Sequence, residues 1–322
     1  MRQWITDAIG AFAELRPASQ DASFRRYFRI IYPDQSLIVM DAPPDREPLG
    51  PWLEVRDLLA GAGIHVPALI VLDREEGFVA MEDLGSVTYE TARQQGVDPG
   101  QLFGEAWSAL VRLAAVHPPT GWAHYDTERL EREMDLFWTW LVGRHLGLDA
   151  PVLRDRFANV HRALIDRALG QGQVWVHRDY HSRNLLFLPE RSPGVIDFQD
   201  AVVGPASYDP VSLLRDCYVE WPDSAVLDWL KDYHVQACSA GLPLPAWPDW
   251  RVDFDWMGIQ RHLKAAGIFA RLWHRDGKPG YLADIPRTLG YVIRASFPYP
   301  SLAPFGTWIE AEILPALTAP KP

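Results

Sequence analysis

VWVHRDYHSRNLLFLPERSPGVIDFQD, residues 174–200, sets two acids and an amide, Asp179, Asn184 and Asp197, between short apolar runs. VWV and LLFL have strand character, PERSPG has turn chemistry and GVID is a second run of strand character. The segment therefore predicts a loop leading into a hairpin. With Leu188 opposite Val195, Phe187 would meet Ile196, Leu186 would meet Asp197, and Asn184 would lie one diagonal step from Asp197. Asp179 would project over the same spot from loop backbone outside the ladder. Two acids and an amide converging on one point suit a hard cation held by oxygens, magnesium with its waters and a phosphate. Taken singly, each also suits a loop cap or strand end, because Asp and Asn favour turns.

The rest of the chain has to carry that segment. In the first third, ASFRRYFRIIY and SLIVMDAPP read as strands about a turn at PDQ, and PALIVLD and GFVAMEDLG as two more. PWLEVRDLLAGAG reads as a helix, with Trp52, Val55, Leu58 and Leu59 at helical spacing and glycines at its end. Beyond residue 100 the pattern is helical. GEAWSALVRLAAVH and LEREMDLFWTWLVGRHLG carry apolar stripes that read as core, and further helices are expected at 151–170, 210–218, 223–240, 253–274 and 304–317. The N-terminal MRQWITDAIGAFAEL reads as an amphipathic helix in which Asp7 and Glu14 interrupt any signal-peptide core, so a cytoplasmic protein is expected. No apolar run approaches the roughly 18 residues that span a bilayer.

Composition narrows the partners. A chain of 322 residues with 48% hydrophobic and 23% charged residues is that of a globular protein, and a net charge of −11 argues against nucleic acid. Cys217 and Cys238 are in no metal-type spacing and read as small core hydrophobes. No membrane partner is expected, and a monomer is.

The order HRDYHSRN then IDF resembles the catalytic core shared by protein kinases and aminoglycoside phosphotransferase-type kinases. The resemblance implies an α+β, bilobal protein-kinase-like fold: a small N-terminal lobe with an antiparallel sheet and one helix, residues 1–83, and a larger, mostly helical C-terminal lobe, residues 84–322. It implies ATP and magnesium as cofactors, Asp179 orienting or deprotonating the acceptor hydroxyl, and Asn184 and Asp197 on the metal. Met81 to Leu84 would be the hinge facing adenine, with Glu82 and Leu84 as nucleotide-binding positions. His177 would be a structural residue beneath the loop, and Asp209 would brace the loop from below.

Two departures from the protein-kinase pattern bear on the substrate. Only residues 198–208 separate Asp197 from Asp209, with no Ala-Pro-Glu motif, so an activation segment that grips a peptide has no room and a small-molecule acceptor is favoured. All four lysines, Lys231, Lys264, Lys278 and Lys321, follow the catalytic motif. Met40 stands about where the third-strand lysine would be, and DASFRRYFR replaces a glycine-rich phosphate loop. Ser23, Arg25 and Arg26, with Arg29 nearby, are therefore candidate phosphate ligands, since guanidinium forks bind phosphate oxygens in pairs; a solvated strand face is the alternative.

Taken together, ASFRRYFR, LIVMDAPP, MEDLG, HRDYHSRN and IDFQDAVVGPASYDPVSLLRDCY look like the branch of that family acting on N-acetylated amino sugars in peptidoglycan recycling. The branch implies transfer to the anomeric hydroxyl of N-acetylmuramate or N-acetylglucosamine. Gln199, Asp200, Arg215 and Asp216 are then candidates for sugar hydroxyls, and Arg183 or Arg215 for the lactyl carboxylate. A polycationic aminoglycoside is the alternative acceptor, and a catalytically silent nucleotide-binding module the alternative of another class.

Overall fold

In the computed structural model, which describes residues 1–19 and 24–318, the strand-like runs of the first third pair as one antiparallel sheet. β1 (Glu14–Ser19), β2 (Arg26–Ile31), β3 (Ser36–Asp41), β4 (Leu69–Asp73) and β5 (Phe78–Glu82) lie in the order β1-β2-β3-β5-β4. β3 is central, and its neighbours Val39 and Met40 are both fully buried, so this strand is covered on both faces. Val39 packs with Ile5, Ile30 and Ala80 under the N-terminal helix Arg2–Ala8.

That helix is shorter than its sequence suggests. Gly10 turns with φ 122°, and residues expected to continue the helix to Leu15 instead start β1. Pro17 hides this strand from a sequence reading, yet a proline is tolerated on an edge strand, where one ladder donor is not needed.

By contact density the chain divides into two compact units. The first comprises Met1–Arg112 with Arg183–Ala201, and the second Leu113–Ser182 with Val202–Pro322. The hairpin of the catalytic segment falls in the first unit because it is bonded there. Val195 N–H donates to His65 O at 2.7 Å, and Phe187 N–H to Val87 O at 2.7 Å.

The hairpin is present, but its register is not the expected one. Leu185 pairs with Val195 and Leu186 with Gly194, a shift of three residues from the Leu188–Val195 pairing. Phe187 is diverted to Val87, so the first strand stops at Leu186 and the connection runs through residues 187–193. The new register puts Asn184 level with Ile196, whose N–H donates to Asn184 O at 3.1 Å. Asn184 and Asp197 are still brought side by side.

In the second unit, Asp126 caps the helix Thr127–Leu136, its carboxylate accepting from Arg129 N–H at 2.8 Å. The helix runs on as a π-helical stretch, Phe137–His145. The 30-residue helix Trp247–Asp276 begins earlier than residue 253, since Pro248 fits its first turn, and stops at Gly277 with φ 66°. It passes so close to Leu136 and Phe137 that a Cβ on Gly267 would stand 2.3 Å from Leu136 C. The helix Ile285–Ser296 was not expected from the sequence; Pro286 sits in its first turn, where proline is tolerated. Val202–Pro205 pairs antiparallel with Gln173–Val176, also unforeseen, and this ladder anchors the strand from which loop 177–182 departs.

Candidate active site

A cavity of about 500 Å³ opens in the first unit. Ile38, Met81, Leu84, Leu186 and Ile196 give it apolar walls, and Glu82, Asp83, Asn184 and Asp197 line it with polar groups. The segment after β5 is fixed from two sides. His65 Nε2 meets Glu82 Oε1 at 3.1 Å, and Asp83 receives Arg29 Nε at 2.6 Å, Arg29 Nη2 at 2.9 Å and Ser36 Oγ at 2.7 Å. Burial would raise the Asp83 pKa, but the Arg29, Ser36 and Gly85 donors outweigh it and hold the carboxyl below its usual range. Asp83 went unremarked at the sequence level; a charged residue directly after a buried strand was the available signal.

In the lining of this cavity the Asn184 amide donates to Asp197 Oδ2 at 3.3 Å, and Gln199 Nε2 donates to Oδ1 at 2.7 Å. Asp197 has φ 62°, a left-handed conformation that Asp and Asn tolerate better than most residues. Gln199 therefore steadies the carboxylate, and Asp200 is exposed.

The arginines divide differently from expectation. Among the described residues, Arg29 and Arg183 line the cavity, and Arg25 and Arg26 do not. Arg25 pairs with Glu47 at 3.1 Å and Arg26 with Asp41, its cross-strand partner. Arg183 forks onto Glu90 with bonds of 2.7 and 3.3 Å. Ser23 lies outside the described residues.

In the second unit, loop 177–182 is held by two buried acids. Asp209 accepts the N–H groups of His177 at 2.6 Å and Arg178 at 3.0 Å, and Asp216 accepts those of Ser182 at 2.9 Å and Tyr218 at 2.8 Å. Burial pushes the Asp209 carboxyl up to about 7 against those two donors. Asp216 is thus a brace for the loop rather than a group for sugar hydroxyls. His177 is fully buried, and its Nδ1 accepts from Asp179 N–H at 3.2 Å.

Arg178, with φ 77°, reaches Glu133 at 2.6 Å. Glu133 also receives Lys264 at 3.2 Å and the Tyr125 hydroxyl. This buried acid was missed, although the signal existed: Glu133 falls three residues after Leu130 and four before Phe137, inside an apolar stripe.

Asp179 lines a small pocket of about 100 Å³ with Tyr208, Tyr218, Arg261, Lys264 and Phe269. Burial would raise its pKa, but the charges of Lys264, His181, Arg261 and Arg178 outweigh it and keep the carboxyl below its usual range. It is an ionised hydrogen-bond acceptor at neutral pH. Arg215 does not join the pocket: its guanidinium pairs with Asp223 and lies 5.5 Å from the Tyr291 ring centre.

Among the described residues no helix is long and apolar enough to cross a membrane. The phosphotransferase enzyme family pattern matches residues 14–252. The N-acetylmuramate/N-acetylglucosamine kinase of Pseudomonas aeruginosa is 47% identical over 297 residues, 91% of this chain and 87% of the relative. Its counterpart from Neisseria meningitidis serogroup B is 44% identical, over 90% and 88% of the two chains. An aminoglycoside phosphotransferase solved with ADP superposes with a TM-score of 0.62 at 17% identity, over 90% of this chain and 96% of the other. A choline kinase of Streptococcus pneumoniae gives the same TM-score, 0.62, at 11% identity and the same coverage, 90% and 96%. The fold is α+β and protein-kinase-like, with an antiparallel N-terminal sheet and a mostly helical remainder.

Proposed function

We propose, from the premise that this chain belongs to the phosphotransferase enzyme family, that it transfers the γ-phosphoryl of ATP to the anomeric hydroxyl of N-acetylmuramate and N-acetylglucosamine. The observation that carries this reading is the cavity lined by the bonded Asn184–Asp197 pair. Its apolar walls suit a flat base, and the backbone after Met81 offers the groups that would meet the base edge. Residues 1–83 are the proposed nucleotide lobe. The amino-sugar substrates are taken from the relatives that share close to half of this sequence.

The donor set fits magnesium. One carboxylate and one amide leave most of an octahedral shell to waters and phosphate oxygens, which is how this ion is commonly held, and no cluster of three or more acid, cysteine or histidine ligands occurs among the described residues. Asp197 and Asn184 would hold the ion, which neutralises phosphate charge. Gln199 fixes which Asp197 oxygen remains to be shared. Asp179, ionised in its pocket, accepts the hydrogen bond of the incoming hydroxyl. An anomeric hydroxyl is more acidic than an ordinary alcohol, so a weak carboxylate base suffices.

The aromatic walls of the Asp179 pocket, Tyr208, Tyr218 and Phe269, suit the apolar atoms of a small sugar substituent. Its two cations, Arg261 and Lys264, disfavour a polycationic aminoglycoside. The reading carries with it a monomeric cytoplasmic enzyme, where ATP is supplied. ADP release measured with N-acetylmuramate, N-acetylglucosamine and kanamycin as acceptors tests it: both amino sugars should stimulate release, and stimulation by kanamycin alone would overturn it.

A further inference from the structure

We propose that Arg261 recognises the carboxylate of an anionic acceptor and so sets the preference for N-acetylmuramate over N-acetylglucosamine. The inference rests on the proposed amino-sugar kinase activity and assigns a residue to a choice that activity leaves open.

The pocket around Asp179 contains two buried cations from one face of the helix Trp247–Asp276, and they differ in one respect. Lys264 is neutralised by Glu133 at 3.2 Å and bonded to the Tyr208 hydroxyl at 2.9 Å. Arg261, only 6% exposed, has no carboxylate within 4.0 Å among the described residues. Among the described residues its buried Nε has no hydrogen-bond partner, and its one contact of that kind is Nη1 to Cys217 Sγ at 3.8 Å. The Tyr208 ring centre is 6.0 Å away, a weak substitute for an anion.

Asp179 and Asp216 act on this guanidinium through their charges, but neither bonds it, and buried donors left unsatisfied are costly. The arrangement is reasonable if an anion completes it in the working state. Carboxylate is the matching group, since a guanidinium fork binds two oxygens at once. The size agrees. A cavity of about 100 Å³ has room for a substituent of a few heavy atoms and not for a hexose ring. In N-acetylmuramate the lactyl ether stands two ring carbons from the anomeric centre. A sugar whose anomeric hydroxyl meets Asp179 can therefore direct that group into the same pocket. N-acetylglucosamine, lacking it, leaves Arg261 unanswered.

Neither Arg183 nor Arg215, the other candidates for this role, lines the Asp179 pocket, and their guanidinium groups pair with Glu90 and Asp223.

The test compares kcat/KM for both sugars in the full-length wild type, Arg261→Gln and Arg261→Lys, with thermal melting alongside. The N-acetylmuramate to N-acetylglucosamine selectivity should fall about 10- to 100-fold in Arg261→Gln, the equivalent of one lost charged hydrogen bond, mainly through KM for N-acetylmuramate. Arg261→Lys should retain part of it and decides the matter if the glutamine variant does not fold. Equal losses for both sugars would make Arg261 structural or a phosphoryl ligand and overturn the assignment, as would an unchanged ratio. A wild type that phosphorylates neither sugar would instead refute the underlying kinase activity.

Discussion

Asn184 Nδ2 donates to Asp197 Oδ2 across 3.3 Å while Gln199 Nε2 takes the other oxygen at 2.7 Å. An amide and a carboxylate are thus presented side by side in the lining of one cavity. Asp197→Asn removes the charge, keeps the shape and suits the φ of 62° at that position. Turnover should fall on the order of 10³-fold, with unfolding free energy within about 1 kcal/mol of wild type. Near-normal turnover in that variant would remove the metal role from Asp197.

The missing N-terminal lysine leaves the phosphates to another cation. Both Arg183 and Arg26 pair with a carboxylate, Glu90 and Asp41, but Arg183 lines the cavity and Arg26 does not. Arg183→Ala should raise the KM for ATP by the equivalent of about 1.5 to 3 kcal/mol, and Arg26→Ala should leave it within about twofold. Steady-state kinetics with ATP varied separates the two. The reverse ranking would return the phosphate role to the β2 arginines.

How much of this was legible in the sequence follows from what each residue needed. The order of strands β2 to β5, the helix after β3 and the pairing of Asn184 with Asp197 came from local periodicity and turn residues, which act over a few positions. The hairpin register did not, because Phe187 leaves its strand to bond Val87, some hundred positions away in the chain. The edge strand β1 was hidden by Pro17. Arg25 and Arg26 were named for charge alone, and charge does not reveal which carboxylate will take a guanidinium. Arg261 and Lys264 were not singled out for the site within the helix expected at 253–274, since a cation's burial depends on the partner helices around it.

Glu133 is 7% exposed and balances Arg178 and Lys264 together. Its pKa is lowered because those two cations and the Tyr125 hydroxyl overcome burial, which alone would raise it. Glu133→Gln would remove the buried carboxylate that Arg178 and Lys264 share and should cost about 3 kcal/mol or more. Urea denaturation at neutral pH measures it; a loss under about 1 kcal/mol would show that the cations find water instead.

Two acids near the loop should titrate on opposite sides of the ordinary range. Asp179 is held low, so its charge is lost only as pH falls through a value under that of a model carboxyl. Asp209, raised to about 7, is protonated in the folded state where the unfolded chain is ionised. Its contribution to stability is therefore full in acid, below the unfolded pKa, and is lost as pH rises through about 7. A carbon NMR titration with carboxyl-labelled aspartate reads both groups directly. An Asp179 midpoint above the model value, or an Asp209 midpoint at or below it, would contradict this balance of burial and charge.

The central claim is the position of phosphoryl transfer, and the product's phosphorus spectrum reads it directly. ATP, magnesium and N-acetylmuramate incubated with the enzyme should give a sugar 1-phosphate whose phosphorus resonance is split by the anomeric proton. A 6-phosphate, or no phosphorylated sugar under conditions in which kanamycin is phosphorylated, would contradict the account.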